Sequence, residues 1–138
     1  MKRMFARESE SLDTIFEELD RFSETNRLGE RDAYFTHLAV EELFTNTVRH
    51  APGGTGEVLL EVAVSDGLLT IRLTDFETEP FNGNTAVSVD TTLPLSERNP
   101  GGLGIHLVRN LADDLVYEYV GGNLVVTVTK HLEEETDV

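Results

Sequence analysis

The chain has 138 residues, enough for one ordinary domain, and 39% of them are hydrophobic, which suffices for a packed core. Its 26 acidic residues against 11 basic ones give a net charge of -15, which disfavours binding to a nucleic-acid backbone. The absence of cysteine excludes disulfides and thiolate chemistry, and the polar start and short apolar runs predict no secretory signal, no membrane span and a cytoplasmic location.

The first third of the chain predicts a short edge strand followed by two helices. The strand covers Lys2 to Ala6, and the first helix covers Ser9 to Ser23. Apolar residues recur at helical spacing in that first helix, namely Leu12, Ile15, Phe16, Leu19 and Phe22. The second helix runs from about Arg31 to His50, where Pro52 and two glycines end it.

Alternating apolar and polar residues predict two β-hairpins, each with turn residues between its strands. The predicted strand pairs are Glu57 to Ser65 with Leu68 to Asp75, and Leu115 to Tyr119 with Leu124 to Lys130. The turns contain Asp66-Gly67 and Gly121-Gly122. Hairpins imply antiparallel pairing of neighbouring strands.

Between the hairpins, Asn82 to Pro100 has little periodicity, and a third helix follows from roughly Gly104 to Asp113. A long loop inside a compact domain is usually functional or disordered. The order of helices, hairpin, loop, helix and hairpin predicts an α+β two-layer sandwich, with a mixed, mostly antiparallel sheet covered on one face by helices. We expect residues 1–138 to form one domain.

The second helix carries two polar residues within its apolar stripe. The stripe contains Phe35, Leu38, Ala39 and Leu43, and Glu42 and Asn46 fall inside it, four residues apart. A buried carboxylate and a buried amide need partners, because unpaired burial costs ~1–3 kcal/mol for the amide and more for the charge. The two side chains either bond each other or the backbone and fix the helix, or they serve a ligand.

Asp75 continues an apolar strand face at the point where the strand ends. Leu69, Ile71, Leu73 and Asp75 share one face because side chains alternate along a strand. An inward carboxylate in that position can accept a hydrogen bond from an amino group of a ligand. It can equally cap the turn that follows, and the sequence leaves both interpretations open.

Three glycines directly precede the third predicted helix, at Gly101, Gly102 and Gly104. Glycine lets a backbone approach a ligand closely, and the amides at a helix start bind phosphate with the help of the helix dipole. A flexible hinge does not explain why the glycines lead straight into an apolar helix. The run is neither a P-loop nor a dinucleotide-binding fingerprint, since no Gly-Lys-Ser/Thr follows and no βαβ unit surrounds it.

Two motifs together resemble a known family. Glu42-x-x-x-Asn46-x-x-x-His50-Ala51 resembles the N box of the GHKL ATPases, the superfamily of gyrase and histidine kinases, in the form found in anti-sigma factor serine/threonine kinases of the RsbW type. Gly101 to Arg109 resembles the second glycine box of these kinases, and Tyr117 to Lys130 resembles their final hairpin. The resemblance covers nearly the whole chain.

The resemblance implies a Bergerat ATP-binding fold with ATP and Mg²⁺ as ligands. It implies that Glu42 is the general base and that Asn46 ligates Mg²⁺, which agrees with the preference of that ion for oxygen ligands. It further implies that Asp75 binds the adenine amino group and that Asn82 to Pro100 is the ATP lid. The remaining implied nucleotide contacts are Phe81, Gly101, Gly102, Leu103 and Gly104.

The resemblance also implies partners: a sigma factor that the protein holds inactive, an antagonist of the STAS class that it phosphorylates on Ser or Thr, and a second copy in a homodimer. One position departs from the family, because Glu77 stands where the first glycine box has Gly and the spacing to Phe81 is one residue longer. This departure favours an alternative, a nucleotide-dependent regulatory binding module without kinase activity. A detached catalytic domain of a histidine kinase is a weaker alternative, since no phosphoacceptor helix is visible.

Overall fold

The computed structural model describes residues 1–50, 56–76 and 100–133, with only the backbone of residues 50 and 100–103. Within these ranges the elements are, in chain order, β1 (Lys2–Ala6), α1 (Ser11–Thr25), α2 (Glu30–His50), β2 (Glu57–Ser65), β3 (Leu68–Asp75), α3 (Pro100–Leu111), β4 (Asp114–Val120) and β5 (Asn123–His131). No helix in the described ranges is long and apolar enough to cross a bilayer.

The five strands that the structure describes form one sheet in the order β1-β2-β3-β5-β4, and all four pairings are antiparallel. Both hairpin turns place two successive residues at positive φ, the conformation that two-residue hairpin loops need. These residues are Asp66 with Gly67, and Gly121 with Gly122. The α+β class and the predicted hairpins are therefore confirmed.

The helices cover one face of the sheet, as predicted. Alternate residues of the three central strands are buried there, namely Val58, Leu60, Val62, Leu69, Ile71, Leu73, Val126 and Val128. On the helical side, α1 contributes Ile15, Leu19 and Phe22, whose spacing places them on one stripe. The opposite face carries polar side chains such as Glu61 and Arg72, which interact with each other 4.0 Å apart and leave that face to solvent.

The helix boundaries differ from the prediction, since α1 covers Ser11–Thr25 instead of Ser9 to Ser23 and α2 begins at Glu30 instead of Arg31. The largest difference is at the start of α3. The structure begins α3 at Pro100, so the glycine run lies inside the first turns of the helix instead of before it. Proline is well suited to a first helical position because its φ is already helical and its missing N–H has no acceptor there. Glycine has a low helix propensity, but the first turns of a helix tolerate it, and the predicted start at Gly104 is four residues too late.

Candidate functional site

The apolar stripe of α2 packs against the sheet and against α3. Phe35, Ala39 and Leu43 are buried, as predicted, whereas Leu38 is only partly buried. Glu42 and Asn46 are only half-buried, so they lie at the border of the stripe and not inside it. At that border a polar side chain keeps part of its hydration, which removes much of the burial cost and leaves it accessible to a ligand.

Glu42 on α2 is in direct contact with Gly104 on α3. A Cβ atom built on Gly104 would overlap the Glu42 carboxylate, with both oxygens and the carboxyl carbon as its nearest neighbours. A glycine is therefore required at position 104 for the carboxylate to occupy this place. The structure thus brings together two residues that the sequence placed 62 positions apart, one from each motif.

The surroundings of Glu42 raise the pKa of its carboxyl group. Burial is the largest cause, and the negative charge of Glu41 adds to it, while Arg49 acts in the opposite direction. A carboxylate whose pKa is raised toward neutrality accepts a proton more readily, which suits a general base.

The first turn of α3 presents backbone N–H groups that have no acceptor within the helix. Pro100 has no N–H, so the donors of this turn that have no acceptor inside the helix are the amides of Gly101, Gly102 and Leu103. The positive end of the helix dipole lies at the same place. This arrangement is suited to binding an anionic group such as a phosphate.

Asp75 is buried at the end of β3, with 5% of its surface exposed. It pairs in register with Val58 of β2 and with Leu124 of β5. The predicted inward face is confirmed, because Leu69, Ile71 and Leu73 on the same side of the strand are buried as well.

Asp75 forms an ion pair with Arg7, a residue that the sequence did not single out. Both side chains are almost fully buried, at 7% exposure for Arg7 and 8% for Asp75. The register explains the contact: Phe5 lies opposite Val58, which lies opposite Asp75, and Arg7 is on the same face as Phe5, two residues further along. Sequence reasoning could have found it only after the three-strand register was known.

Burial and the ion pair act in opposite directions on Asp75. Burial raises the pKa of the Asp75 carboxyl and is the larger effect, while the charge and hydrogen bond of the Arg7 guanidinium lower it. Asp75 is thus a costly group in this place unless a cation or a hydrogen-bond donor compensates for its burial.

Other expected site residues lie outside the described part of the chain. These are Phe81, Glu77 and the predicted lid, apart from Pro100, at which α3 begins. For Gly101, Gly102 and Leu103 the helical backbone is described.

Comparison with known proteins gives the family and close relatives. A family model described as a histidine kinase-like ATPase domain matches residues 5–130. A protein of Listeria monocytogenes named Serine-protein kinase RsbW is 33% identical over 107 residues, which cover 71% of this chain and 65% of the relative. A Halalkalibacterium halodurans protein of the same name is 29% identical over 116 residues, covering 80% of this chain and 70% of the relative.

The matched region thus spans 65% of the length of the Listeria relative, less than two thirds of it. Among solved structures, a chain of the crystal structure of the SiaB-SiaC complex from Pseudomonas aeruginosa superposes with a TM-score of 0.69. The alignment covers 92% of this chain and 88% of that chain at 14% identity, so it supports the fold alone.

Proposed function

Because this chain belongs to the family of histidine kinase-like ATPase domains, we propose that it is an ATP-dependent protein serine/threonine kinase. The observation that carries the proposal is the contact between the Glu42 carboxylate and Gly104. It puts a carboxylate with a raised pKa beside the first turns of α3, and the backbone amides at a helix start suit a phosphate chain. A base and a phosphate site side by side are what phosphoryl transfer requires.

The nucleotide contacts are assigned as the family resemblance implies. Asn46 would hold Mg²⁺, and its half-buried amide one helical turn from Glu42 fits an ion that takes oxygen ligands and keeps several waters. The metal would neutralise charge on the phosphate oxygens. Asp75 would accept a hydrogen bond from the adenine amino group, and Phe81 would complete the adenine site.

In the proposed reaction, the hydroxyl oxygen of a Ser or Thr attacks the terminal phosphorus of ATP. Its proton passes to the Glu42 carboxylate, a P–O bond forms to the protein hydroxyl oxygen, and the bond to the bridging oxygen of ADP breaks. ADP leaves with the bonding electron pair. This chemistry depends mainly on positioning and charge stabilisation, so few side chains are needed.

The proposed protein substrate is a STAS-domain antagonist, and the proposed regulatory role is to sequester a sigma factor. The family resemblance of the two boxes supports both, and the names of the relatives support serine as an acceptor. We also propose a homodimer in the cytoplasm. The strongly negative net charge of -15 argues against direct nucleic-acid binding, so regulation of transcription would pass through the protein partner.

Nucleotide binding is tested by calorimetry with Mg²⁺ and ATP. We expect binding by the wild-type protein, and we expect Asn46→Ala to abolish it while the melting temperature stays close to that of the wild type. No binding heat with ATP or ADP at millimolar ligand would contradict the nucleotide site itself.

The kinase step is tested by incubating the protein with labelled ATP and its antagonist. We expect Glu42→Gln to retain ATP binding and lose transfer by ~10²–10⁴-fold, because glutamine keeps the shape of the side chain but cannot take a proton. Glu17→Gln, an exposed carboxyl-to-amide change on α1, is the matched control and should transfer normally. Equal transfer rates for Glu42→Gln and wild type would show that Glu42 is not the base.

A second candidate function is a nucleotide-dependent binding module that transfers no phosphate. One observation favours it: Glu77 stands where the first glycine box is expected to have glycine. Nucleotide binding without transfer to any antagonist would select this function. Restoration of transfer by Glu77→Gly would then identify the glutamate as the cause.

A further inference from the structure

The base-recognition carboxylate is covered by a side chain of the same chain. The guanidinium of Arg7 donates a hydrogen bond to Oδ1 of Asp75, and each of the two side chains is exposed over less than a tenth of its surface. In this arrangement an adenine amino group has almost no exposed carboxylate surface to approach. Access to Asp75 therefore requires the Arg7 side chain to move.

We propose that Arg7 is a specificity-determining residue that restricts adenine nucleotides by covering Asp75, and that it must swing away before the base can bind. This inference rests on the nucleotide-binding function proposed above. Adenine binding is then an exchange, in which the amino group of the base replaces the guanidinium as the donor to Asp75. The affinity is lowered by whatever it costs to separate the buried pair.

The backbone around Arg7 allows such a movement of the side chain alone. The Arg7 amide donates to the Gly56 carbonyl at 3.2 Å, and the Ser11 hydroxyl donates to the carbonyl of the preceding Ala6 at 2.8 Å. These bonds hold the main chain in place. A Cβ built on Gly56, which lies opposite Arg7, would meet no atom within 4 Å, so the neighbouring chain does not crowd this end of β1.

The test compares affinities for Mg²⁺-ADP and Mg²⁺-IDP by calorimetry, since diphosphates avoid turnover. The two bases differ at position 6, where adenine carries an amino donor and hypoxanthine an oxygen acceptor. Arg7→Met removes the guanidinium and keeps an apolar side chain of similar length. Arg3→Met on β1, which removes an exposed arginine four residues before Arg7, is the matched control.

We expect Arg7→Met to bind ADP about tenfold more tightly than wild type, the size of effect that one charge-assisted hydrogen bond can produce. The gain for IDP should be smaller, because the hypoxanthine oxygen would face an uncovered carboxylate. The gain should also disappear when Arg7→Met is made in an Asp75→Asn background, and Arg3→Met should bind ADP as the wild type does.

Unchanged or weaker ADP binding by Arg7→Met, with normal binding by the wild type, would overturn the inference and leave the proposed function intact. No binding by either protein at millimolar ligand would overturn both. If Arg7→Met does not fold, the ratio of the wild-type affinities for ADP and IDP tests the inference. A carboxylate covered by Arg7 predicts that the wild type prefers ADP over IDP by less than about tenfold. A larger wild-type preference would overturn the inference.

Discussion

At the scale of single residues, the burial of Glu42 favours catalysis and disfavours folding stability. Its raised pKa suits a base, yet the same burial makes the charged form unfavourable in the folded protein. Glu41 increases the effect because it adds a second negative charge on the same helix. We therefore expect Glu42 to reduce folding stability at the pH where it would act, a common cost of functional groups.

This cost predicts a pH dependence of stability. The folded chain holds the Glu42 proton more tightly than the unfolded chain, where the pKa is ~4.3. The stabilising contribution is thus fully present below ~4.3 and is lost as the pH rises through the folded pKa. We expect Glu42→Gln to be more stable than wild type at pH 7.5, with the difference shrinking as the pH falls to 4.5.

Urea unfolding of both proteins at the two pH values measures this difference. Glu17→Gln, on the exposed side of α1, is the matched carboxyl-to-amide control. If Glu42→Gln were less stable than wild type at pH 7.5, the carboxylate would be making stabilising contacts, and its assignment to a structural role would gain support.

Individual site residues were predictable to different degrees. Glu42, Asn46 and Asp75 stood out because each is polar at a position where the local period calls for an apolar residue, and this signal needs only neighbouring sequence. Arg7 carries no such signal, since an arginine after an edge strand is ordinary. The role of Arg7 becomes visible only in the folded sheet. The pairing of β1 with β2 and of β2 with β3 brings Arg7 next to Asp75, which is 68 positions away in the sequence.

At the scale of elements, α3 depends on Gly104 for its close approach to α2. The helix itself would favour alanine, which stabilises a helix interior by ~0.5–1 kcal/mol relative to glycine. The Glu42 carboxylate would have to move away from a Cβ at this place, and it can, because it is the end of a flexible side chain.

We therefore predict that Gly104→Ala lowers kinase activity without lowering folding stability. The melting temperature should be unchanged or higher, while transfer to the antagonist should fall on the order of 10²-fold, because the base is displaced by about an ångström or more. Asn110→Ala, an exposed change on the same helix, should leave transfer unaffected. Normal transfer by Gly104→Ala would mean that the position of Glu42 against α3 has no catalytic importance.

The strands were predicted more accurately than the start of α3. The bounds of β1, β2 and β3 agree with the alternating pattern, and α2 begins one residue earlier than predicted. Alternation and turn residues define a hairpin locally. A helix start rich in glycine has low intrinsic propensity, and tertiary contacts decide its extent; here α3 packs against α2.

At the scale of the whole molecule, the described sheet has β1 and β4 as its edge strands. An edge presents unpaired backbone groups that can pair with a second chain. We expect a dimer formed through β1, with twice the chain mass of 15.4 kDa by light scattering. Because each chain carries a charge of -15, the dimer should be favoured by added salt.

Substitution of one exposed apolar residue on each edge strand of the sheet tests which edge forms the dimer contact. Met4→Lys on β1 should weaken the dimer, whereas Val120→Lys on β4 should not. A monomer mass across micromolar concentrations would contradict the dimer, and dissociation by Val120→Lys alone would move the contact to the other edge.

The pairing of β3 with β5 has a consequence for how such a domain can change over evolutionary time. The chain leaves the sheet at Asp75 and returns at Asp114, while Asp75 stays in register with Leu124. The intervening segment contains both α3 and the predicted lid, and each doubling of a loop's length costs only ~0.6 kcal/mol in closure entropy. Insertions or substitutions in the predicted lid can alter ligand preference while the pairing of β3 with β5 and of β5 with β4 fixes the positions of both ends of the segment. Ligand binding can therefore diversify with little loss of folding stability.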